Sequence, residues 1–250
     1  MEPRGRSLGS SLLVPSVQEL AKESLSEVPS RYVRTDQQEP VVTTCLSSEL
    51  PVIDMERLLS HGSADYELER LHLACKDWGF FQPEDVEGFG QAFVVSEEQK
   101  LDWADMFFVV TLPRDIRKPH LFPNLPLPLR DSLEAYSTEV KNVSLKTLMF
   151  IAKASKMEVE DMKVLFEDGM QSMRMNYYPP CPQPEKVIGL SPHSDPVGIT
   201  FLLQINEVEG LEIKKDGIWM QIKPLPNSFI VNIGDALEVI LNFLELIENL

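Results

Sequence analysis

The chain has 250 residues, 43% of them hydrophobic and 25% charged, which supplies a buried core and excludes wholesale disorder. Its 39 acidic residues outnumber 23 basic ones for a net charge of -16, so bulk electrostatic attraction to nucleic acid or to an anionic membrane is excluded. Cys45, Cys75 and Cys181 are too few and too scattered for a disulfide framework and fit a reducing compartment. Apolar runs such as 106–110 and 148–152 are far too short to span a bilayer, and the N-terminal apolar stretch is too interrupted for a signal peptide. One large domain or two small ones are expected, in a soluble cytoplasmic protein.

Taken in chain order, the first element is a helix. Ser16 with Glu19 three residues on reads as a capping box, and Val17, Leu20, Leu25 and Val28 follow at helical spacing until Pro29. LPVIDM reads as a strand, 64–78 as an amphipathic helix carrying Leu68, Leu71, Cys75 and Trp78, and Phe80 and Phe81 as the start of another strand. That strand meets the polar, turn-forming PEDVEGFG after three residues, which is short for a core strand. Five prolines between 113 and 128 predict an extended connector without helix. A long helix is expected from Asp131 to about Met157 and a second from Glu158 to Glu167, ending at Gly169. Beyond it come short strands in QSMRMNYY, GITFLLQ, GLEI, IWMQI and SFIVNIG, with a hairpin at Asp216-Gly217. The expected architecture is helices followed by an antiparallel sheet domain, a sandwich or jelly roll.

Two groupings carry possible chemistry. In SPHSDPVG, an extended backbone projects His193 and Asp195 to one side. Such a pair can supply two of the three protein ligands of a 2-His-1-carboxylate Fe(II) site, or it can be a histidine hydrogen-bonded to a loop aspartate. In MRMNYY, alternation places Arg174, Asn176 and Tyr178 on one face and Met173, Met175 and Tyr177 on the other. Amide and phenol donors suit a small dicarboxylate, and the same trio also suits an ordinary solvent-facing side.

The segments MRMNYYPPCPQPE, GLSPHSDPVGITFLLQ, VEGLEIKKDGIW and PLPNSFIVNIGDALEV together resemble the plant 2-oxoglutarate- and Fe(II)-dependent dioxygenases. VPSVQELAKE, VPSRYVR, LPVIDM, CKDWGFFQ and RKPHLFPNLPLPLRDSLEAYS agree with the same family. The subgroup it looks most like is the senescence-related set that includes alkaloid O-demethylases and lies near flavonoid-pathway oxygenases. The resemblance implies a double-stranded β-helix, or jelly-roll, core with flanking helices. It implies Fe(II) held by His193 and Asp195, 2-oxoglutarate contacted by Asn176 and Tyr178, and ascorbate as reductant. The implied reaction releases CO2 and succinate while a small metabolite is hydroxylated, desaturated or demethylated.

Against that pattern the chain departs twice. Family members continue from WGFFQ through a further strand and helix, whereas here Gln82 joins Pro83 directly, which reads as an internal deletion. The family's second iron histidine would fall in register at Leu250, and its Arg-x-Ser motif for the distal 2-oxoglutarate carboxylate beyond it, which reads as a C-terminal truncation. His61, His72 and His120 are expected at the surface and not as substitute ligands. The resemblance thus divides the chain into an N-terminal arm and helix at 1–50 and a remnant of the N-terminal dioxygenase domain at 51–82. A linker with long helices follows at 83–168, then a truncated, incomplete dioxygenase domain at 169–250. Impaired catalysis is expected. The alternatives are a catalytically inactive interaction partner or an unstable product. The tail at 237–250 is apolar on almost every side and calls for a protein partner surface.

Overall fold

The structure, a computed structural model, describes residues 12, 14–23, 25–34, 88–91, 94, 96–118, 121–122 and 125–248. The expected LPVIDM strand, the 64–78 helix, the strand at Phe80 and Phe81, and His61, His72 and His120 lie outside the described residues. The chain divides into two compact units, one of residues 1–38, 84–138 and 169–192, the other of 39–83, 139–168 and 193–250.

In the first unit, helix α1 (Val17–Lys22) is shorter than the sequence pattern predicts and stops six residues before Val28. Its capping box does not form. The Ser16 hydroxyl instead donates to Asp105 Oδ2 at 2.7 Å, and the Val17 and Gln18 amides donate to the same carboxylate at 3.1 and 2.7 Å. Asp105, 1% exposed, therefore caps α1 from 89 residues away and satisfies the orphan amides of its first turn. Leu25 and Val28 still reach the core that the helix pattern assigned to them. They join Val17, Tyr32, Val94, Leu101 and Trp103 in one apolar cluster against which Cys181 packs.

Strands β1 (Gly88–Gly90), β2 (Asp105–Leu112) and β3 (Gln171–Tyr177) form an antiparallel sheet in that order. Gly88-Phe89-Gly90, expected as a turn, is thus a strand, because Phe89 pairs with Phe107 across the ladder. Met173 packs near Val109, Phe122 and Leu133, while Met175 and Tyr177 of the same strand face are exposed. Among the described residues, the proline-rich connector holds a 3-10 turn at Arg114–Ile116. Arg117 then turns back, donating to the Thr111 carbonyl and pairing with Glu134 at 2.5 Å, and its guanidinium lies 4.1 Å over the Phe122 ring. With Arg114, Lys118 and Arg130 these groups line a cleft of about 430 Å³, a locally basic feature on an acidic chain.

Helix α2 (Leu127–Ala154) starts four residues earlier than expected, because Pro128 sits in its first turn where no intrahelical donor is lost. It runs from the first unit into the second. There it is followed by α3 (Val159–Phe166), strands β4 (Ile199–Leu202), β5 (Leu211–Lys215), β6 (Ile218–Ile222) and β7 (Ile230–Ile233), and helix α4 (Asp235–Glu248). β5 and β6 form the expected hairpin, with Asp216 and Gly217 at φ of 52° and 82°. Two positive φ values are what a two-residue type I′ turn requires. β4 pairs antiparallel with β7. Ile233 and Leu237, at the end of β7 and the start of α4, pack on Leu148, Ile151 and Ala152 of α2 and Met162 of α3. That core fixes where β7 ends, and with it the loop and strand residues described next.

Candidate metal centre

The second unit brings His193 and Asp195 together at the approach to β4. Nε2 of His193 lies 3.6 Å from Oδ1 of Asp195, within ion-pair range and just beyond hydrogen-bond length. Both side chains keep partial exposure. The other carboxylate oxygen is occupied: Thr200 Oγ1 donates to Oδ2 at 2.7 Å and Asn232 Nδ2 donates to it at 2.9 Å.

The backbone beneath the pair is pinned as well. The Asp235 amide donates to the Asp195 carbonyl at 3.0 Å, and the Gly234 amide to the Gly198 carbonyl at 2.9 Å. The crossing is so close that a Cβ on Gly234 would stand 1.8 Å from the Val197 carbonyl oxygen. Only glycine fits there. Burial raises the Asp235 carboxyl above the usual range; a hydrogen bond from Ser194 opposes this, and the charge of Asp195 adds to it.

An imidazole nitrogen and a carboxylate oxygen on one side of a rigid loop are a donor set that suits a divalent transition metal. Among the described residues no third histidine, cysteine or carboxylate joins them within reach of one ion. The residues present therefore fit two positions of an Fe(II) coordination sphere.

Asn176 and Tyr178 belong to the first unit. Arg174 Nε donates to Asn176 Oδ1 at 2.7 Å, as expected for residues two apart on one strand face. That contact turns the amide so that its NH2 end is directed away from the guanidinium. The ring of Tyr178 lies against Gly189, where a Cβ would meet it at 2.9 Å. Desolvation raises the Tyr178 hydroxyl above the ordinary phenol value, Arg174 works against the shift and Asp102 adds to it.

Sequence reasoning singled out His193, Asp195, Asn176 and Tyr178 as candidates and did not single out Thr200, Asn232 or Gly234, which the structure sets around the first pair. A signal for Thr200 and Asn232 was present. ITFL and IVNI are apolar strands with one polar residue each, and the register places those two residues opposite one another.

A profile described as the 2OG-Fe(II) oxygenase superfamily matches residues 169–245. The chain is 51% identical to protein SRG1 of Arabidopsis thaliana, an alignment covering 97% of this chain and 79% of that protein. It is 48% identical to oxoglutarate-dependent flavonoid 7-O-demethylase 1 of Ocimum basilicum, covering 95% of this chain and 73% of the relative. Among solved structures, JOX2 in complex with 2OG, Fe and JA is similar with a TM-score of 0.78 at 30% identity, covering 91% of this chain and 75% of that one. The jelly-roll core with flanking helices is the fold these similarities share. The alignment with SRG1 runs over 282 positions, whereas 97% of 250 residues is about 243, so about 39 positions hold a residue of the relative alone.

Proposed function

The chain belongs to the 2OG-Fe(II) oxygenase superfamily, and from that premise we propose that it is an oxidoreductase that oxidises a small plant metabolite at the expense of 2-oxoglutarate. Hydroxylation, desaturation and demethylation are the reactions open to it. The flavonoid demethylase among its relatives favours an O-methylated aromatic compound as substrate.

The observation that carries the reading is the His193–Asp195 pair, with one aspartate oxygen held by Thr200 and Asn232 and the other turned toward the imidazole. His193 would supply a nitrogen ligand and Asp195 Oδ1 an oxygen ligand. Fe(II), when bound, supplies the O2 reduction that accompanies loss of CO2 from 2-oxoglutarate and release of succinate, with ascorbate as the external reductant. Asn176, through its NH2, and Tyr178, through its hydroxyl, are donors suited to 2-oxoglutarate carboxylate oxygens. The compartment we assign is the cytoplasm.

Turnover by the 250-residue chain is slow in this account, because its described residues offer two protein donors where the 2-His-1-carboxylate site has three. The roughly 39 relative-only positions in the SRG1 alignment are compatible with an internal deletion, which we place after Gln82. A second reading, a non-catalytic protein that pairs with another chain, is favoured by one feature. Val239 and Phe243 of α4 are 67% and 62% exposed.

Succinate release tests the first reading. The purified chain with Fe(II), ascorbate and 2-oxoglutarate should release succinate slowly, and His193→Ala should abolish it. Release that is equal in the two proteins, or absent from the parent, contradicts the proposal.

A further inference from the structure

Building on that metal-centre reading, we propose that Thr200 and Asn232 are positioning residues that make Asp195 a one-oxygen metal ligand. The register of the β4–β7 ladder sets Thr200 directly opposite Asn232. Residues opposite one another share a sheet face, and their neighbours Ile199 and Ile233 point the other way, into the apolar core formed with α2 and α3. Each strand thus contributes one polar side chain to the face that Asp195 occupies.

Both side chains donate to the same oxygen. Thr200 Oγ1 lies 2.7 Å and Asn232 Nδ2 2.9 Å from Asp195 Oδ2. Against a carboxylate only the NH2 end of the asparagine amide can pair, so its orientation is fixed by chemistry. A carboxylate oxygen offers about two lone-pair directions, and two donors fill them. Oδ1, the oxygen facing His193 Nε2, is then the one left to a cation.

The carboxylate cannot swing to bind through both oxygens without giving up two charge-assisted hydrogen bonds in a part-buried setting. Its main chain is held too, by the Asp235 amide on the Asp195 carbonyl. Three donors, from β4, β7 and the first residue of α4, therefore set the position and torsion of one ligand. A cross-strand Thr–Asn pair that served only the sheet would have no need to end on a third residue.

Outer hydrogen bonds of this kind typically govern metal affinity by about 10- to 100-fold. Co(II), a divalent ion whose d–d absorption reports ligand geometry, serves as the probe in the purified chain. Thr200→Val and Asn232→Leu, each nearly isosteric, should weaken Co(II) binding by about 10- to 100-fold. Each should also change the d–d band shape as Asp195 turns. Thr200→Ser, which keeps the donor, should restore both. The single variants are checked by urea unfolding, and if one fails to fold the other decides. Binding within about twofold of the parent in a folded variant, with an unchanged band, overturns the clamp and leaves the metal centre standing. Absence of Co(II) binding by the parent, or equal binding by Asp195→Ala, overturns the metal-centre reading and the clamp together.

Discussion

Gly234 joins β7 to α4 at the point where the backbone crosses the 195–198 loop, and adding one methyl group there tests whether that crossing is structural. In Gly234→Ala the new carbon would lie 1.8 Å from the Val197 carbonyl oxygen, 2.6 Å from its carbon and 3.0 Å from the Asp195 oxygen. Ordinary contact begins near 3.4 Å, so the two segments must part by about 1.6 Å. Both neighbours are backbone, and no side chain can rotate away to absorb the strain. Overpacking of this sort costs about 1–3 kcal/mol. The separation also breaks the Gly234–Gly198 and Asp235–Asp195 hydrogen bonds, worth about 1 kcal/mol each. A loss of about 3–5 kcal/mol is expected, a large part of the ~5–15 kcal/mol that holds a domain together.

Three other glycines calibrate the result. A methyl on Gly198 would meet the edge of the Phe166 ring at 2.4 Å, a side chain that can shift, so Gly198→Ala should cost less, about 1–2 kcal/mol. Gly217 has open space but a φ of +82°, so its alanine variant should lose about 1 kcal/mol to strain. Gly210 has open space and no such φ, and its variant should be neutral. Urea unfolding followed by circular dichroism measures all four. A Gly234→Ala protein within about 0.5 kcal/mol of the parent, or as tolerant as Gly210→Ala, would refute the reasoning.

Asp105→Ala strips three donors at the start of α1 of their acceptor and should cost about 2–4 kcal/mol in the urea midpoint. Leu237→Ala empties a fully buried position between α4 and the α2–α3 core and should cost about 2–5 kcal/mol by the same measurement. Glu134 is hydrogen-bonded by Arg117, which with Arg114 holds its carboxyl below the usual range despite partial burial. A depressed folded-state value means its stabilisation is complete above the unfolded value, about 4.3, and fades as pH falls through the folded one. Glu134→Gln should therefore lose about 1–2 kcal/mol at pH 7, and the gap between variant and parent should close as the pH falls through the depressed folded-state value in a stability–pH series.

The elements that were legible in sequence are those whose signal is local. The β5–β6 hairpin followed from alternation and an Asp-Gly pair, and the ends of α3 followed from its flanking residues. β2 gave no alternation to read, because DMFFVVTL is apolar along most of its length and largely buried on both faces. β1 was disguised by its glycines; what makes it a strand is its partner, β2. Ser16 carried a sound capping signal, yet its hydroxyl is drawn to a buried carboxylate 89 residues away, a contact with no trace in the local pattern. At the site, the pair His193 and Asp195 was legible as a candidate, weakly from its two-residue spacing and mainly from the family resemblance of the segments around it. Its supports were not, because a threonine and an asparagine are each unremarked in a strand and acquire a role only when register sets them opposite each other.

The measurement that bears most directly on the account is the binding of 2-oxoglutarate to the purified chain without oxygen, with and without Fe(II), in the parent and in Asp195→Ala. The account predicts binding that requires Fe(II) and disappears in the variant. Binding that ignores Fe(II), or that survives unchanged in Asp195→Ala, would contradict it.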